Sequence, residues 1–130
     1  MKSFFTCLII ISFLFVNCNA QTSEKVKMIN TIEFQKKIQN TKNTQLVDVR
    51  TPEEFNPEHL QNAVNINWND PNFESNIKLL DKNKPVFVYC KVGGRSMKAA
   101  TKLAELGFKE IYNLEGGIVS WNSKNLPTKK

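Results

Sequence analysis

The sequence predicts a single α/β domain with three layers, in which helices flank a mostly parallel central sheet. Short β-branched and aromatic runs alternate along the chain with stretches of helical apolar spacing. About 110 residues follow an apolar N-terminal segment, which is the size of one domain with one core. In a parallel sheet of this kind, the ligand site lies beyond the carboxyl ends of the strands.

The strands are predicted from short apolar runs between turn residues. They span residues 26–29, 45–50, 63–66, 85–89 and 110–113. The strand at 45–50 is expected to be buried. The β-branched and aromatic run at 85–89 leads directly to Cys90.

The helices are predicted from caps and periodicity. Asn30 caps the first helix, with Glu33 as its return partner. Thr51 caps the second helix, with a proline and a glutamate at the first and third helical positions. The predicted helices run from 31 to about 39, from 52 onwards, over 72–80 and over 95–106 with Gly107 as the stop, and a closing helical turn contains Trp121.

The most informative segment is 86–96, where a strand ends in Cys90 and a loop containing Gly93 and Gly94 opens a helix. This arrangement delivers a thiol to backbone N–H groups at a helix N-terminus, which stabilise a thiolate and an anion beside it. Only four residues separate Cys90 from Arg95, so the loop is tight. Cysteines are more often structural than reactive, but the glycine pair and Arg95 favour a nucleophile here.

Residues 1–20 have the pattern of a secretory signal peptide, with a lysine, an apolar run and a cleavage site ending at Ala20. Lipid modification of Cys18, as in bacterial lipoproteins, is the alternative processing route. The mature domain is therefore expected to span residues 21–130 and to be exported to the periplasm or cell envelope. It is expected to associate with a membrane only if Cys18 is lipidated.

Cysteine usage follows from that segment. Cys7 and Cys18 lie in it or at its edge, so Cys90 is the single cysteine of the mature body. One thiol cannot close an intramolecular disulfide, and the ligands for a zinc site are lacking. A lone thiol in an oxidising compartment is a liability unless the protein uses it.

The formal net charge of +6 comes from scattered lysines. They lack the interleaved aromatic residues of a nucleic-acid surface, so no nucleic-acid partner is expected. A positive field favours small anionic substrates, although it does not identify one.

Four groups of residues recur, in this order, as the motifs of one protein family. They are Leu46-Val47-Asp48-Val49-Arg50 with Glu53-Glu54-Phe55, residues 59–66, Tyr89-Cys90 through Arg95-Ser96, and Leu114-Glu115-Gly116-Gly117 with Trp121. Together they resemble the rhodanese family of sulfurtransferase domains, over residues 28–121. Export of a single domain resembles the small periplasmic rhodaneses of bacteria.

The resemblance implies transfer of a sulfane sulfur. A donor such as thiosulfate would leave a persulfide on Cys90, and a thiol, cyanide or another exported protein would accept the sulfur. The expected substrate-binding residues of the loop are Lys91, Val92, Gly93, Gly94, Arg95 and Ser96. Their N–H groups are expected to lower the pKa of the thiol, and the two glycines to permit positive φ angles. No metal or nucleotide cofactor is implied.

Some of the charged residues expected near the thiol have two possible roles. Arg95, through its planar fork, and Lys91, as a point charge, are candidates to neutralise an anionic donor, although Lys91 is equally an exposed loop lysine. Arg50 is either a second substrate cation or the partner of Asp48 in a structural ion pair. Asp48 is expected to accept backbone hydrogen bonds, and His59 to make a structural hydrogen bond rather than activate the cysteine.

One motif departs from the family pattern. Glu58 replaces the usual glycine before His59, and Gln61 and Asn62 replace a Pro-Gly pair. Glycine and proline normally set the backbone angles of such a turn, so these residues are expected to reshape it and to leave the thiol loop unchanged.

Two other functions stay open at this level. Phosphatases and arsenate reductases also place cysteine and arginine around an anion-binding loop, but with one residue more than the four found here. Phosphoryl transfer also usually needs a carboxylic acid for the leaving group, and no obvious candidate follows the loop. A persulfide carrier or thiol-dependent binding module with little turnover is the second alternative.

Overall fold

The structure, a computed structural model, describes residues 24–130, and the predicted signal segment with Cys7 and Cys18 lies outside these residues. The strands are β1 (Val26–Ile29), β2 (Gln45–Asp48), β3 (His59–Leu60), β4 (Val64–Asn65), β5 (Val86–Tyr89), β6 (Ile111–Leu114) and β7 (Thr128–Lys129). The helices are α1 (Thr31–Asn40), α2 (Pro52–Phe55), α3 (Phe73–Ile77), α4 (Gly94–Glu105) and α5 (Gly117–Ser123). None of these helices has the length and apolar character needed to cross a membrane.

A five-stranded parallel sheet forms the middle layer, with strand order β1-β6-β5-β2-β4. Helices α3 and α4 pack on one face, and α1 and α5 pack on the other. The predicted α/β class with a parallel central sheet is therefore confirmed. β5 lies at the centre, and Asp48 at the end of β2 pairs with Tyr89 at the end of β5.

The alternation of side chains along β5 determines where the thiol lies. Val86 and Val88 join the core beneath α3 and α4, whereas Phe87 and Tyr89 join the core beneath α1 and α5. Cys90 continues the first of these two series and is part of the core on the α4 side. The thiol therefore lies where β5 ends and α4 begins.

The predicted caps are present. Asn30 Oδ1 accepts the Glu33 N–H at 3.0 Å, and Thr51 and Glu54 form a reciprocal capping box at the start of α2. Gly107 has φ +93°, and its N–H and that of Phe108 bond back to the last turn of α4. This is the glycine-terminated ending predicted for that helix.

Three elements differ from prediction. The strand predicted at 45–50 ends at Asp48, because the chain then leaves the sheet towards the Thr51 cap. The helix predicted over 72–80 covers only Phe73–Ile77, and the residues after it continue in tight turns. The antiparallel pair of β3 and β7 was not predicted, because two-residue strands carry no periodicity.

Glu58, which stands where the family usually has glycine, binds the C-terminal strand β7. Its carboxylate accepts the Thr128 hydroxyl at 2.7 Å, which fastens the C-terminal strand beside β3. Asn62 adopts φ +69°, the left-handed conformation that glycine takes easily and asparagine tolerates. The turn is thus built by residues that replace the family's usual glycine and proline.

Candidate active site

The candidate nucleophile lies in the loop between β5 and α4. We call residues 90–95 the Cys90 loop. Cys90 is 1% exposed, and Gly93 turns the chain into α4 with φ +125°, a conformation that side chains with a Cβ rarely adopt. Gly94 has no positive φ and starts the helix, so the expectation of positive φ at both glycines is wrong for Gly94.

The Cys90 sulfur is surrounded by hydrogen-bond donors. The Gly93 N–H donates to Sγ at 3.0 Å. Burial raises the pKa of the thiol, but hydrogen bonds from the Ser96 hydroxyl and from the N–H groups of Ser96, Gly93 and Val92 lower it. The net result is a pKa below the ordinary value of 9.0. These donors favour the thiolate, the form of cysteine that acts as a nucleophile.

Replacing Ser96 with alanine should raise the pKa of Cys90, because the variant loses a hydroxyl that stabilises the thiolate. The rate of alkylation by iodoacetamide, measured against pH, should show a midpoint below 9.0 in the natural protein and a higher midpoint in the variant. Thr101→Ala, which removes an exposed hydroxyl from the same helix, is the control. Equal midpoints for Ser96→Ala and the natural protein would contradict this assignment.

The first turn of helix α5 donates backbone hydrogen bonds to the Cys90 loop. The N–H of Ile118 donates to the Cys90 carbonyl at 2.9 Å, and that of Val119 donates to the Lys91 carbonyl at 3.1 Å. Gly117, buried with φ +57°, lies so close that a Cβ there would be 2.5 Å from the Cys90 carbonyl oxygen. The closing Gly-Gly motif therefore permits a backbone-to-backbone contact that positions the nucleophile.

The Arg95 guanidinium is paired with a carboxylate of the protein. Its Nη1 and Nη2 donate to Glu54 Oε1 and Oε2 at 2.7 and 2.9 Å, which is a bidentate ion pair. The hydrogen bond from Arg95 lowers the pKa of Glu54 to about 2, so this carboxylate is ionised at neutral pH. The cation predicted to meet an anionic donor is thus already paired with an anion from α2.

Of the two roles predicted for Arg50, the structure shows the ion pair with Asp48. It is 6% exposed, and its guanidinium bonds both carboxylate oxygens of Asp48 as well as the Glu58 carbonyl. Asp48 also accepts the Arg50 backbone N–H at 2.9 Å, as predicted for a loop-organising carboxylate. This geometry favours a structural role for Arg50 over contact with substrate.

Tyr89 and His59 complete the support on the β3 side. Burial raises the pKa of Tyr89, whose hydroxyl accepts the Leu60 N–H at 3.0 Å. His59 stacks on Phe55 with ring centroids 3.8 Å apart, and its Nδ1 lies 2.9 Å from the Phe55 carbonyl oxygen. Among the residues described, no hydrogen bond joins His59 to Cys90. His59 therefore occupies a structural position.

The outer residues of the Cys90 loop face solvent. Lys91 is exposed, and Val92 is 63% exposed. Ser96 is fully buried, and its hydroxyl lies 3.2 Å from the Gly93 carbonyl oxygen. The loop thus combines an exposed rim with a buried thiol.

The sequence was compared with models of known protein families. A family model described as "Rhodanese-like domain" matches residues 31–124, a range that begins at α1 and ends just after α5. The chain belongs to the rhodanese-like family. The matched range contains the whole Cys90 loop and the Glu54 and Gly117 contacts.

Several relatives of this rhodanese-like domain carry sulfurtransferase names. Thiosulfate sulfurtransferase GlpE of Shewanella oneidensis is 37% identical over 84 residues, which is 65% of this chain and 81% of the relative. A rhodanese-like domain protein of Staphylococcus aureus has a TM-score of 0.68 at 33% identity, covering 80% and 99% of the two chains. The polysulfide-sulfur transferase homodimer of Wolinella succinogenes has a TM-score of 0.68 at 32% identity, covering 86% and 83%.

Two residues that shape this rhodanese-like site were missed as contributors by sequence reasoning. The sequence indicates Glu54 as a helix-capping residue within the first family motif, and Gly117 as part of the closing motif, but neither as a contact of the Cys90 loop. Their partners lie far away in sequence, since Glu54 and Arg95 are 41 residues apart. The glutamate recurring in the first family motif and the paired glycines were the only available signals.

Proposed function

We propose that this protein is a sulfurtransferase that carries a sulfane sulfur as a persulfide on Cys90. The observation that supports this most directly is the buried thiol with the Gly93 N–H 3.0 Å from its sulfur and a lowered pKa. Membership of a family whose named relatives include thiosulfate sulfurtransferases supports the same reaction.

In the first step, the Cys90 thiolate attacks the terminal sulfur of thiosulfate. An S–S bond forms to Cys90, the S–S bond of thiosulfate breaks, and sulfite leaves with the bonding electron pair. The negative charge then lies on the terminal persulfide sulfur. Backbone N–H groups of the Cys90 loop and the N-terminal end of α4 stabilise that charge as they do the thiolate.

In the second step, an acceptor removes the outer sulfur. A thiolate or cyanide attacks it, the persulfide S–S bond breaks, and Cys90 returns to the thiolate. The products are an acceptor persulfide or thiocyanate. Lys91 is the exposed cation of the loop and is proposed to attract the anionic donor and acceptor.

We also propose that the domain works after export, in the periplasm or cell envelope. The proposal rests on the signal-like pattern of residues 1–20. Its acceptor is then a small thiol or another exported protein. The intact mass of the chain recovered from cells distinguishes cleavage after Ala20 from lipidation at Cys18.

Cyanolysis of thiosulfate by the mature domain tests the reaction. Replacing Cys90 with alanine should reduce turnover at least about a thousandfold, because the covalent route is removed. Intact mass after exposure to thiosulfate should show one added sulfur atom in the natural protein and none in the variant. Cys90→Ser, which keeps nearly the same shape, controls for loss of folding.

Other outcomes would change the proposal. An added sulfur without turnover would favour the carrier function. Turnover that persists in both Cys90 variants would refute the persulfide route. Absence of both signals with thiosulfate and polysulfide would refute sulfur transfer, and phosphate esters would then be the substrates to assay.

A further inference from the structure

Arg50 and Arg95, the two arginines of the chain, are both paired with carboxylates of the protein. Arg50 is paired with buried Asp48, with an N···O distance of 2.7 Å. Arg95, at the end of the Cys90 loop, is paired with Glu54 through two parallel hydrogen bonds. The surroundings of the thiol therefore carry less positive charge than a count of nearby arginines indicates.

The Glu54–Arg95 pair is held in place from both ends. Glu54 belongs to the capping box of α2, where it also accepts from the Thr51 hydroxyl at 3.2 Å. Arg95 lies in the first turn of α4. The hydrogen bond to Glu54 raises the pKa of its guanidinium, and the negative charges of Glu54 and of the Cys90 thiolate raise it further. Arg95 is the last residue of the Cys90 loop, and Glu54 offsets the charge of its guanidinium.

We propose that Glu54 is a specificity-determining, positioning residue, which lowers the preference of the Cys90 loop for dianionic sulfur donors relative to monoanionic ones. This inference rests on the proposed function. It predicts that Glu54 favours monoanionic sulfane-sulfur donors, the chemical class that includes organic thiosulfonates and persulfides, relative to thiosulfate. Glu54 acts through Arg95 and does not itself touch the donor.

Two physical effects lead to this assignment. The carboxylate adds one negative charge beside the loop, and its repulsion of a donor grows with the donor's charge. It also occupies the Nη1–Nη2 edge of the Arg95 guanidinium, which would otherwise be free to bind two oxygens of a sulfonate group. Thiosulfate carries one charge more than a thiosulfonate, so it loses more from both effects.

The first test uses Glu54→Gln and a pair of donors that differ by one charge. Glutamine keeps the capping box, since glutamine also serves at that position. Thiosulfate and methanethiosulfonate both transfer their terminal sulfur, releasing sulfite and methanesulfinate respectively. The ratio of kcat/KM for thiosulfate to that for methanethiosulfonate should rise on the order of threefold in the variant.

The matched control is Glu53→Gln. Glu53 is the exposed neighbour in the same turn, and its replacement removes the same formal charge without touching Arg95. The donor ratio should change little in this variant. A ratio unchanged by Glu54→Gln, or raised equally by Glu53→Gln, would overturn the proposal, because the pairing with Arg95 would then not set the preference.

A second test does not depend on sulfur transfer. Iodoacetate and iodoacetamide both alkylate a thiolate and also differ by one negative charge. The rate constant for iodoacetate divided by that for iodoacetamide does not depend on the fraction of Cys90 present as thiolate, so this ratio reports the local charge. It should rise on the order of threefold in Glu54→Gln and stay constant in Glu53→Gln.

The two tests separate this inference from the proposed function. If the natural protein transfers sulfur from neither donor, the proposed function fails while the alkylation ratio still measures the effect of Glu54. If transfer proceeds but both ratios are the same in Glu54→Gln and the natural protein, the role of Glu54 fails alone. A thermal unfolding curve close to that of the natural protein establishes that the variant is folded.

Discussion

Replacing Gly117 with alanine is expected to lower the free energy of unfolding by about 3 kcal/mol and to reduce sulfur transfer at least about tenfold. Gly117 has φ +57°, and an added Cβ would lie 2.5 Å from the Cys90 carbonyl oxygen and closer still to that of Lys91. These are backbone atoms, so they cannot rotate away as a side chain would. Relief of the clash must displace the Cys90 loop itself.

Urea unfolding and the kinetics of cyanolysis measure the two effects. Gly107→Ala is the control, because Gly107 also has positive φ but nothing lies within 4 Å of the added Cβ. That variant should lose about 1 kcal/mol from the backbone conformation and keep its kcat/KM. Similar losses of stability and activity in both variants would show that contact with the Cys90 loop is not the cause.

Replacing Asp48 with asparagine is expected to lower the free energy of unfolding by about 3 to 4 kcal/mol. Asp48 is fully buried and holds Arg50 through both carboxylate oxygens. Asparagine keeps the shape but removes the charge, which leaves the buried guanidinium without an anionic partner. Since Asp48 pairs with Tyr89 in the sheet, the damage lies directly beside the strand that carries Cys90.

Chemical denaturation compares this variant with a change to a surface ion pair. Glu74 pairs with Lys78 at 3.2 Å and with Lys102 at 3.9 Å, and all three side chains are a third or more exposed. Glu74→Gln should cost less than about 1 kcal/mol, because solvent already screens that pair. If Asp48→Asn lowers the free energy of unfolding by no more than Glu74→Gln does, burial is not what makes the Asp48–Arg50 pair stabilising.

Most of the fold could be predicted from the sequence because its signals are local. The strand before Cys90, the caps at Asn30 and Thr51 and the glycine stop at Gly107 each depend on a few neighbouring residues. The order of strands and the pairing of β3 with β7 depend on contacts between distant segments. Short runs of two residues carry no pattern that would reveal them.

The candidate site divides in the same way. The nucleophile and its N–H donors were predictable, because the strand, the cysteine and the glycine at the helix start are consecutive. The pairing of Arg50 with Asp48 was one of two interpretations open from the sequence, but the partner of Arg95 was not predictable, because Arg95 meets a carboxylate 41 positions away. A count of cations near the cysteine therefore predicted a more positive site than the folded chain has.

The sequence by itself determined the placement of the thiol, at the end of a strand and beside backbone donors at a helix N-terminus. Only the tertiary structure decided the charge around that thiol and the support beneath it. Glu54 and Gly117 act through partners brought close by the parallel sheet and its two helical layers. Backbone hydrogen bonds to the sulfur arise within one loop, whereas the Glu54–Arg95 ion pair and the contact of Gly117 with the loop require distant segments to meet.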